Sequence, residues 1–348
     1  MNILALAGLP AAQLKAFAST IGNTPLQPIE YRDAQSQQLI YLKLEGANPT
    51  GSMKDRTGYA LLEDLEDRGL LEPGATIIES TSGNLGVALA FQCKARGYRF
   101  IAVVDPKTTV ENCAKMEAFG AQIELVTQPD LNGGYLLSRL ARIQQLCQEH
   151  PSLVWTNQYH NTANPAIHYT QTGPEIYQQM EHKVDVIFIS VSTGGSLAGI
   201  GRFFREVSPQ TQIIGVDAYG SVVFGTPSAP RKLTGIGSSR PSQFLKPELY
   251  DTHLLVTDEE AFSFCRALSA QTGLMVGGSS GAVLAACTRY LALHPTLKRA
   301  VCVCADRGEN YLSSIFHDEW FPSHNLPSFP HQLRLVEVTH PLLDPISY

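Results

Sequence analysis

Short apolar runs rich in β-branched residues recur at 75–78, 100–104, 122–126, 184–190, 212–216, 253–256 and 300–304, with helically spaced apolar positions between them. Strands alternating with helices, the strands apolar along their whole length, predict parallel sheets covered on both faces, an α/β protein. Gly97, Gly120 and Gly273 each fall near the end of a helical stretch, where glycine relieves a left-handed cap. Near the N-terminus the apolar stretch 3–12 predicts part of a helix ending near Thr20, and Met1 and Asn2 supply no basic start of the secretory kind. The polar, Asn-rich segment 155–165 (WTNQYHNTANP) separates two strand–helix series and is expected to cross between two domains. From Phe321 onward five prolines (Pro322, Pro327, Pro330, Pro341, Pro345) and no helical period predict an extended tail over 321–348.

Composition narrows the partners. At 348 residues the chain has the length of about two domains, and 44% hydrophobic against 17% charged residues places it among globular proteins. A net charge of -6 gives no basic field for nucleic acid or an anionic membrane surface. No run reaches the ~18 apolar residues of a membrane span. Seven scattered cysteines, an odd number lying mostly in apolar runs, suit reduced thiols in a cytoplasmic protein. Cys302 and Cys304 lie two apart in a strand-like run, which is not the spacing of a zinc or redox pair, and no metal is expected.

Four segments lie where an α/β fold presents functional groups, at the carboxyl end of a strand and the start of the next helix. In NPTGSMKDR (48–56), Lys54 follows a turn-rich stretch and precedes a helical run from Thr57. A lysine there is usually a solvated charge; near a helix N-terminus, which disfavours its protonation, it can instead serve as a neutral amine that forms a Schiff base. In STSGNLG (80–86), before a helix over 87–96, backbone N–H groups and hydroxyls suit a carboxylate, or simply cap the helix. SVSTGGSLAG (190–199) combines paired glycines with hydroxyls before a helix from Leu197, which suits a phosphate. It lacks the P-loop lysine and the Gly-x-Gly-x-x-Gly spacing, so a nucleoside triphosphate or NAD is disfavoured. GGSSG (277–281) precedes a helix over 282–293, and ADRGEN (305–310) follows the last strand.

A lysine, a carboxylate cradle, a phosphate cradle and an isolated serine in this order resemble the fold-type-II pyridoxal-phosphate enzymes, in the cysteine synthase and cystathionine β-synthase branch. The resemblance covers about residues 18–316 and includes GNTPL (22–26). It implies two open, mostly parallel twisted sheets flanked by helices, with pyridoxal 5'-phosphate as cofactor and amino acids as substrates. It further implies a large domain of 1–45 and 155–320, a smaller mobile domain of 46–154 that closes on the substrate carboxylate, and a homodimer. By motif, Lys54 corresponds to the cofactor-bearing lysine, Asn84 to the contact with the cofactor's 3′ oxygen, and Thr193, Gly194, Gly195 and Ser196 to the phosphate cup, beside Ser192. Ser279 corresponds to the partner of the pyridine nitrogen, and Thr81, Ser82 and Gln158 to the groups that take the substrate carboxylate. The resemblance implies β-replacement through an α-aminoacrylate, with Lys54 moving the Cα proton.

Leu85 stands where typical sulfhydrylases carry a threonine, and the resemblance places it, with Asn84, among the substrate-binding residues. With NPTGSMKDR, WTNQY (155–159) and GIGSSR (235–240), it resembles a sub-branch that makes N-(2-amino-2-carboxyethyl)-L-glutamate, on the way to 2,3-diaminopropionate, from O-phospho-L-serine and L-glutamate. Such anionic substrates need cationic partners, and Arg139, Arg231, Lys232 and Arg240 are the candidates. Arg240, beside the 235–237 turn, is preferred, and Tyr159 and Ser192 are expected to line the same pocket. His160 and His168 receive no role. The alternatives are cysteine synthesis from O-acetylserine or O-phosphoserine with sulfide, and a cofactor-binding partner without activity.

Overall fold

The computed structural model describes residues 3–32, 37–130, 134–324, 326 and 334–337. Its strands in chain order are β1 (Leu26–Arg32), β2 (Gln37–Leu44), β3 (Thr76–Ser80), β4 (Arg99–Val104), β5 (Gln122–Leu125), β6 (Leu153–Trp155), β7 (Val186–Ser190), β8 (Gln212–Ala218), β9 (Thr252–Val256), β10 (Ala300–Cys304) and β11 (Arg334–Glu337). They form two sheets, ordered β11-β1-β2-β10-β7-β8-β9 and β5-β4-β3-β6. The four-stranded sheet is parallel throughout, and in the larger sheet only β1 runs antiparallel to its neighbours β2 and β11. The expected α/β class is therefore the observed one.

Each sheet buries both faces, which is why its strands read as unbroken apolar runs. Along β10, Cys302 and Cys304 enter one core with Phe188 and Ile214, while Val301 and Val303 enter another with Ile187 and Ile213. In β3, Ile77 and Ile78 likewise divide between the two cores of the smaller sheet. The helices Asn84–Arg96, Gly195–Val207 and Gly278–Leu293 begin a few residues earlier than the apolar periodicity predicts, inside the polar motifs themselves. Each motif thereby becomes a helix N-terminus. No helix among the described residues is long and apolar enough to cross a membrane.

Three expectations need correction. The N-terminal helix is two helices, Ile3–Ala7 and Ala11–Ala18, separated at Pro10, which lacks the N–H to continue the first. These helices do not join the larger sheet, which holds β7 to β10. Leu6 and Leu14 are buried in the core of the smaller sheet with Leu61, Leu89 and Phe91, so residues 1–45 do not pack as one unit. The C-terminal stretch is not simply extended: Trp320–Ser323 is helical, and β11 pairs antiparallel with β1, Leu335 being buried. The rest of the proline-rich tail lies outside the described residues. Between β6 and β7 the chain passes from the smaller to the larger sheet, and 155–165 lies at the start of that passage.

The helix Gly195–Val207 is seated against the helical stretch within that passage by a glycine. A Cβ on Gly199 would stand 2.2 Å from the Pro165 carbonyl oxygen and 2.7 Å from His168 Cβ. Gly199→Ala is expected to destabilise the protein by about 1–3 kcal/mol through this overpacking; an unchanged urea midpoint would contradict the close seating.

Candidate active site

The loop before Lys54 is folded by its own polar groups. Asp55 accepts from the Thr50 backbone N–H and hydroxyl, both at 2.8 Å, and burial lifts its carboxyl to about 7 against those bonds. Met53 N donates to Ala305 O at 2.8 Å, and Ser52 pairs with Asp306, so the loop rests on the segment that leaves β10. Lys54 is the first residue of the helix Lys54–Asp67. Two residues on, the fully buried Arg56 pairs with Glu45 at 2.7 Å and Glu175 at 2.6 Å, and Lys43 also binds Glu175 at 2.7 Å. Burial alone would raise the Glu175 carboxyl, but Arg56 and Lys43 hold it well below the usual range. Burial lowers Lys54 itself to about 8, with the Glu79 carboxylate opposing the shift.

The loop after β3 is braced by Thr81, whose hydroxyl accepts from Gly86 N at 2.8 Å, and Ser82 and Asn84 remain partly open. Leu85 departs from expectation. Its side chain is buried in the core of the smaller sheet, where an apolar residue gains from leaving water, so only its backbone can meet a substrate. Gln158 donates from Nε2 to Ser80 O at 2.9 Å, and its N–H donates to Glu79 at 3.0 Å, which fixes it beside that loop.

After β7, Gly194 (φ 89°) caps the helix Gly195–Val207. A Cβ would come 2.2 Å from Ser242 Oγ at Gly194 and 2.2 Å from Asn164 Oδ1 at Gly195, so the turn admits only glycines. Asn164, 1% exposed, donates to Gln158 O at 2.9 Å and Thr193 Oγ1 at 3.2 Å, while its own Oδ1 has no partner. Ser192 donates to Gly237 O at 3.0 Å, joining this loop to the 235–237 turn. Ser196 is partly open at the first turn of the helix, and the buried Ser279 is the second residue of the helix Gly278–Leu293. Helix N–H groups, hydroxyls and a glycine turn form an anion cradle, and an amine with a lowered pKa begins the helix Lys54–Asp67. That donor set fits pyridoxal phosphate.

Beyond this cradle the structure separates the four candidate cations. Lys232 donates to the His324 carbonyl, and Arg231 to the Gly220 carbonyl at 3.3 Å. Arg240 instead lies over Tyr159, and Arg139 is near enough to act on the same phenol through its charge. The Arg240 guanidinium carbon lies 5.5 Å from the ring centre, and burial raises the phenol while the charge of Arg139, then that of Arg240, opposes the rise. Arg139 is 8% exposed and its Nε is 3.3 Å from Asp105, yet neither Nε nor Nη1 has a hydrogen-bond partner. His168 is buried and held neutral, pushed down to about 3 by burial, while His160 is exposed. Sequence reasoning passed over Glu79, Asn164 and Asp306; ADRGEN and WTNQYHNTANP contained the last two, without a signal that they reach across to other motifs.

Two parallel-dominated sheets with amine, carboxylate-loop and phosphate-loop motifs at helix starts define a cofactor-dependent α/β enzyme. The chain belongs to the pyridoxal-phosphate dependent enzyme family, whose model matches residues 17–306. It is 41% identical over 306 residues to the N-(2-amino-2-carboxyethyl)-L-glutamate synthase of Ralstonia nicotianae, covering 88% of this chain and 90% of that one. Among solved structures, an O-ureido-L-serine synthase bound to O-ureido-L-serine superimposes with a TM-score of 0.80 at 28% identity, covering 90% of this chain and 98% of that one. The O-acetylserine dependent cystathionine beta-synthase of Helicobacter pylori gives 0.78 at 31% identity, covering 86% and 97%. Pyridoxal 5'-phosphate is accordingly the cofactor.

The lowered pKa makes Lys54 unusually reactive. An amine at about 8 is roughly one-tenth neutral at pH 7, against about one in three thousand for an ordinary lysine. In competitive acetic anhydride labelling of the apo-protein, the Lys54 peptide should follow an apparent pKa near 8. Labelling that keeps rising past pH 10 would show an unshifted amine.

Proposed function

We propose that this protein catalyses β-replacement on O-phospho-L-serine with L-glutamate as nucleophile, giving N-(2-amino-2-carboxyethyl)-L-glutamate, the precursor of 2,3-diaminopropionate in siderophore or antibiotic synthesis. The observation that carries the reading is Arg139, two of whose nitrogens are buried without a hydrogen bond, with Arg240 over the ring of Tyr159, on whose phenol the charge of Arg139 also acts. Beyond its 3.3 Å ion pair with Asp105, the buried Arg139 guanidinium keeps two nitrogens without a hydrogen bond, which is costly, and a phosphate or carboxylate supplies acceptors in matching geometry. The sequence similarity to the Ralstonia N-(2-amino-2-carboxyethyl)-L-glutamate synthase supports the same product.

In this reading Lys54 holds the cofactor, with Asn84 at its 3′ oxygen, Ser192, Thr193, Gly194, Gly195 and Ser196 about its phosphate, and Ser279 at its ring nitrogen. When bound, the cofactor supplies an electron sink for the carbanion at the substrate's Cα. Thr81, Ser82 and Gln158 bind the substrate carboxylate at the N-terminus of the helix Asn84–Arg96, whose dipole favours the negative charge. Lys54 Nζ, whose pKa burial lowers to about 8, takes the Cα proton as a free amine and returns it. Arg139 and Arg240 receive the departing phosphate and then orient the incoming dicarboxylate. Residues 46–154 close over the substrate and exclude water. The reading places the enzyme in the cytoplasm as a homodimer; its seven free cysteines accord with a reducing compartment.

The test mixes holoenzyme with O-phospho-L-serine, follows the visible spectrum, and adds L-glutamate or sulfide in separate cuvettes. Consumption of the new absorbing species by glutamate supports the proposal; reaction only with sulfide makes the protein a cysteine synthase. Lys54→Ala should lose the visible absorbance of the attached cofactor. Arg139→Gln and Arg240→Gln should each lower kcat/KM for the anionic substrates by at least about tenfold, the scale of one charge-assisted hydrogen bond. Steady-state kinetics unchanged by both substitutions would remove the pair from the site.

A further inference from the structure

We infer that Asp306 is a positioning residue for Asn84, fixing which edge of the Asn84 amide faces the cofactor and tying the two sheets together at that point. The inference rests on the reading of Asn84 as the contact to the cofactor's 3′ oxygen. Asn84 Nδ2 donates to Asp306 Oδ2 at 2.7 Å, and Asn84 Oδ1 accepts from Asn310 Nδ2 at 3.4 Å. An ionised carboxylate only accepts, so a flipped amide would set two oxygens against each other at hydrogen-bond distance. The amide nitrogen keeps a second hydrogen, and the orientation imposed by Asp306 leaves it for an oxygen of a ligand. A free asparagine would present its carbonyl as readily as its N–H.

Asp306 is held firmly enough to impose this. Tyr311 OH donates to the same Oδ2 at 2.7 Å, Gly277 N donates to the Asp306 carbonyl at 3.3 Å, and Ser52 pairs with its backbone. A Cβ on Gly277 would fall 2.0 Å from Asp306 Oδ1, so the glycine two residues before Ser279 makes room for the carboxylate. Asp306 thus touches the loop of Lys54, the loop of Asn84 and the helix start of Ser279. It is 3% exposed, and its Oδ1 has no hydrogen-bond partner. Burial raises its carboxyl, while the Tyr311 and Asn84 bonds oppose the rise. Lys115, on the helix Val110–Ala118 of the smaller sheet, reinforces the crossing by donating to Asn310 Oδ1.

A double-mutant cycle on the holoenzyme tests this, read by the visible absorption of the bound cofactor and by its dissociation constant in equilibrium dialysis. Asp306→Asn, which can turn the Asn84 amide over, should shift the absorption and weaken cofactor retention about tenfold, the scale of one charge-assisted hydrogen bond. In the Asn84→Ala background the same substitution should change neither. Equal effects in both backgrounds would make Asp306 a purely structural residue and overturn the inference alone. Asn84→Ala without any spectral change would overturn it together with the assignment of Asn84. Asp306→Ser, smaller and still polar, runs the same cycle with the same outcomes if Asp306→Asn does not fold.

Discussion

A guanidinium with none of its side-chain surface open to water needs carboxylates around it, and Arg56 meets two, Glu45 and Glu175, with Lys43 binding Glu175 from the other side. These charges lie at the end of β2 and in the turn just after it, on the helix that begins at Lys54, and on the helix Gly173–Gln179. Removing one partner would leave the others buried and uncompensated, a loss of about 3–5 kcal/mol. Because Arg56 lies two residues from Lys54, the network fixes the first turn of the helix that carries the reactive amine. The low pKa of that amine follows from the same packing, since a lysine on a loose turn would find water and keep its proton.

Around this anchor the site is assembled at the ends of strands. β3, β7 and β10 each run out into a short polar turn, and two of those turns open directly into helices. The turns meet through side chains: Gln158 on Ser80, Asn164 on Gln158 and Thr193, Asn84 on Asp306. Helix N-termini aimed inward offer partial positive charge without mobile side chains, suited to holding a phosphate and a carboxylate at once. Two further guanidinia bear on Tyr159, that of Arg240 over its ring and that of Arg139 through its charge.

What the sequence made legible follows from burial and from range. Seven strands were readable because burial on both faces makes them continuously apolar. β1 (LQPIEYR) and β2 (QQLIYLKL) mix polar and apolar residues and were missed, β6 is three residues long, and β11 lies in a proline-rich stretch where propensity argues against a strand. Lys54, the 81–86 loop, the 192–196 loop and Ser279 were readable because each motif is local. Asp306 was not, because its partner Asn84 lies 222 residues away. Arg139 stood among four similar charges until burial without hydrogen bonds set it apart, and Leu85 was misplaced because a motif position does not say which way a side chain turns.

The strand order also dictates a timetable for biosynthesis. The smaller sheet draws its strands from a continuous stretch, β3 to β6, and can assemble as soon as that stretch leaves the ribosome. The larger sheet cannot, because β10 lies between β2 and β7, and β1 receives its outer neighbour only from β11. Until residue 304 has emerged, β2 and β7 lack the strand that joins them, each with an open hydrogen-bonding edge. A nascent chain stalled before that point would hold one finished layer and two unjoined partial sheets with open edges, a state from which aggregation readily begins.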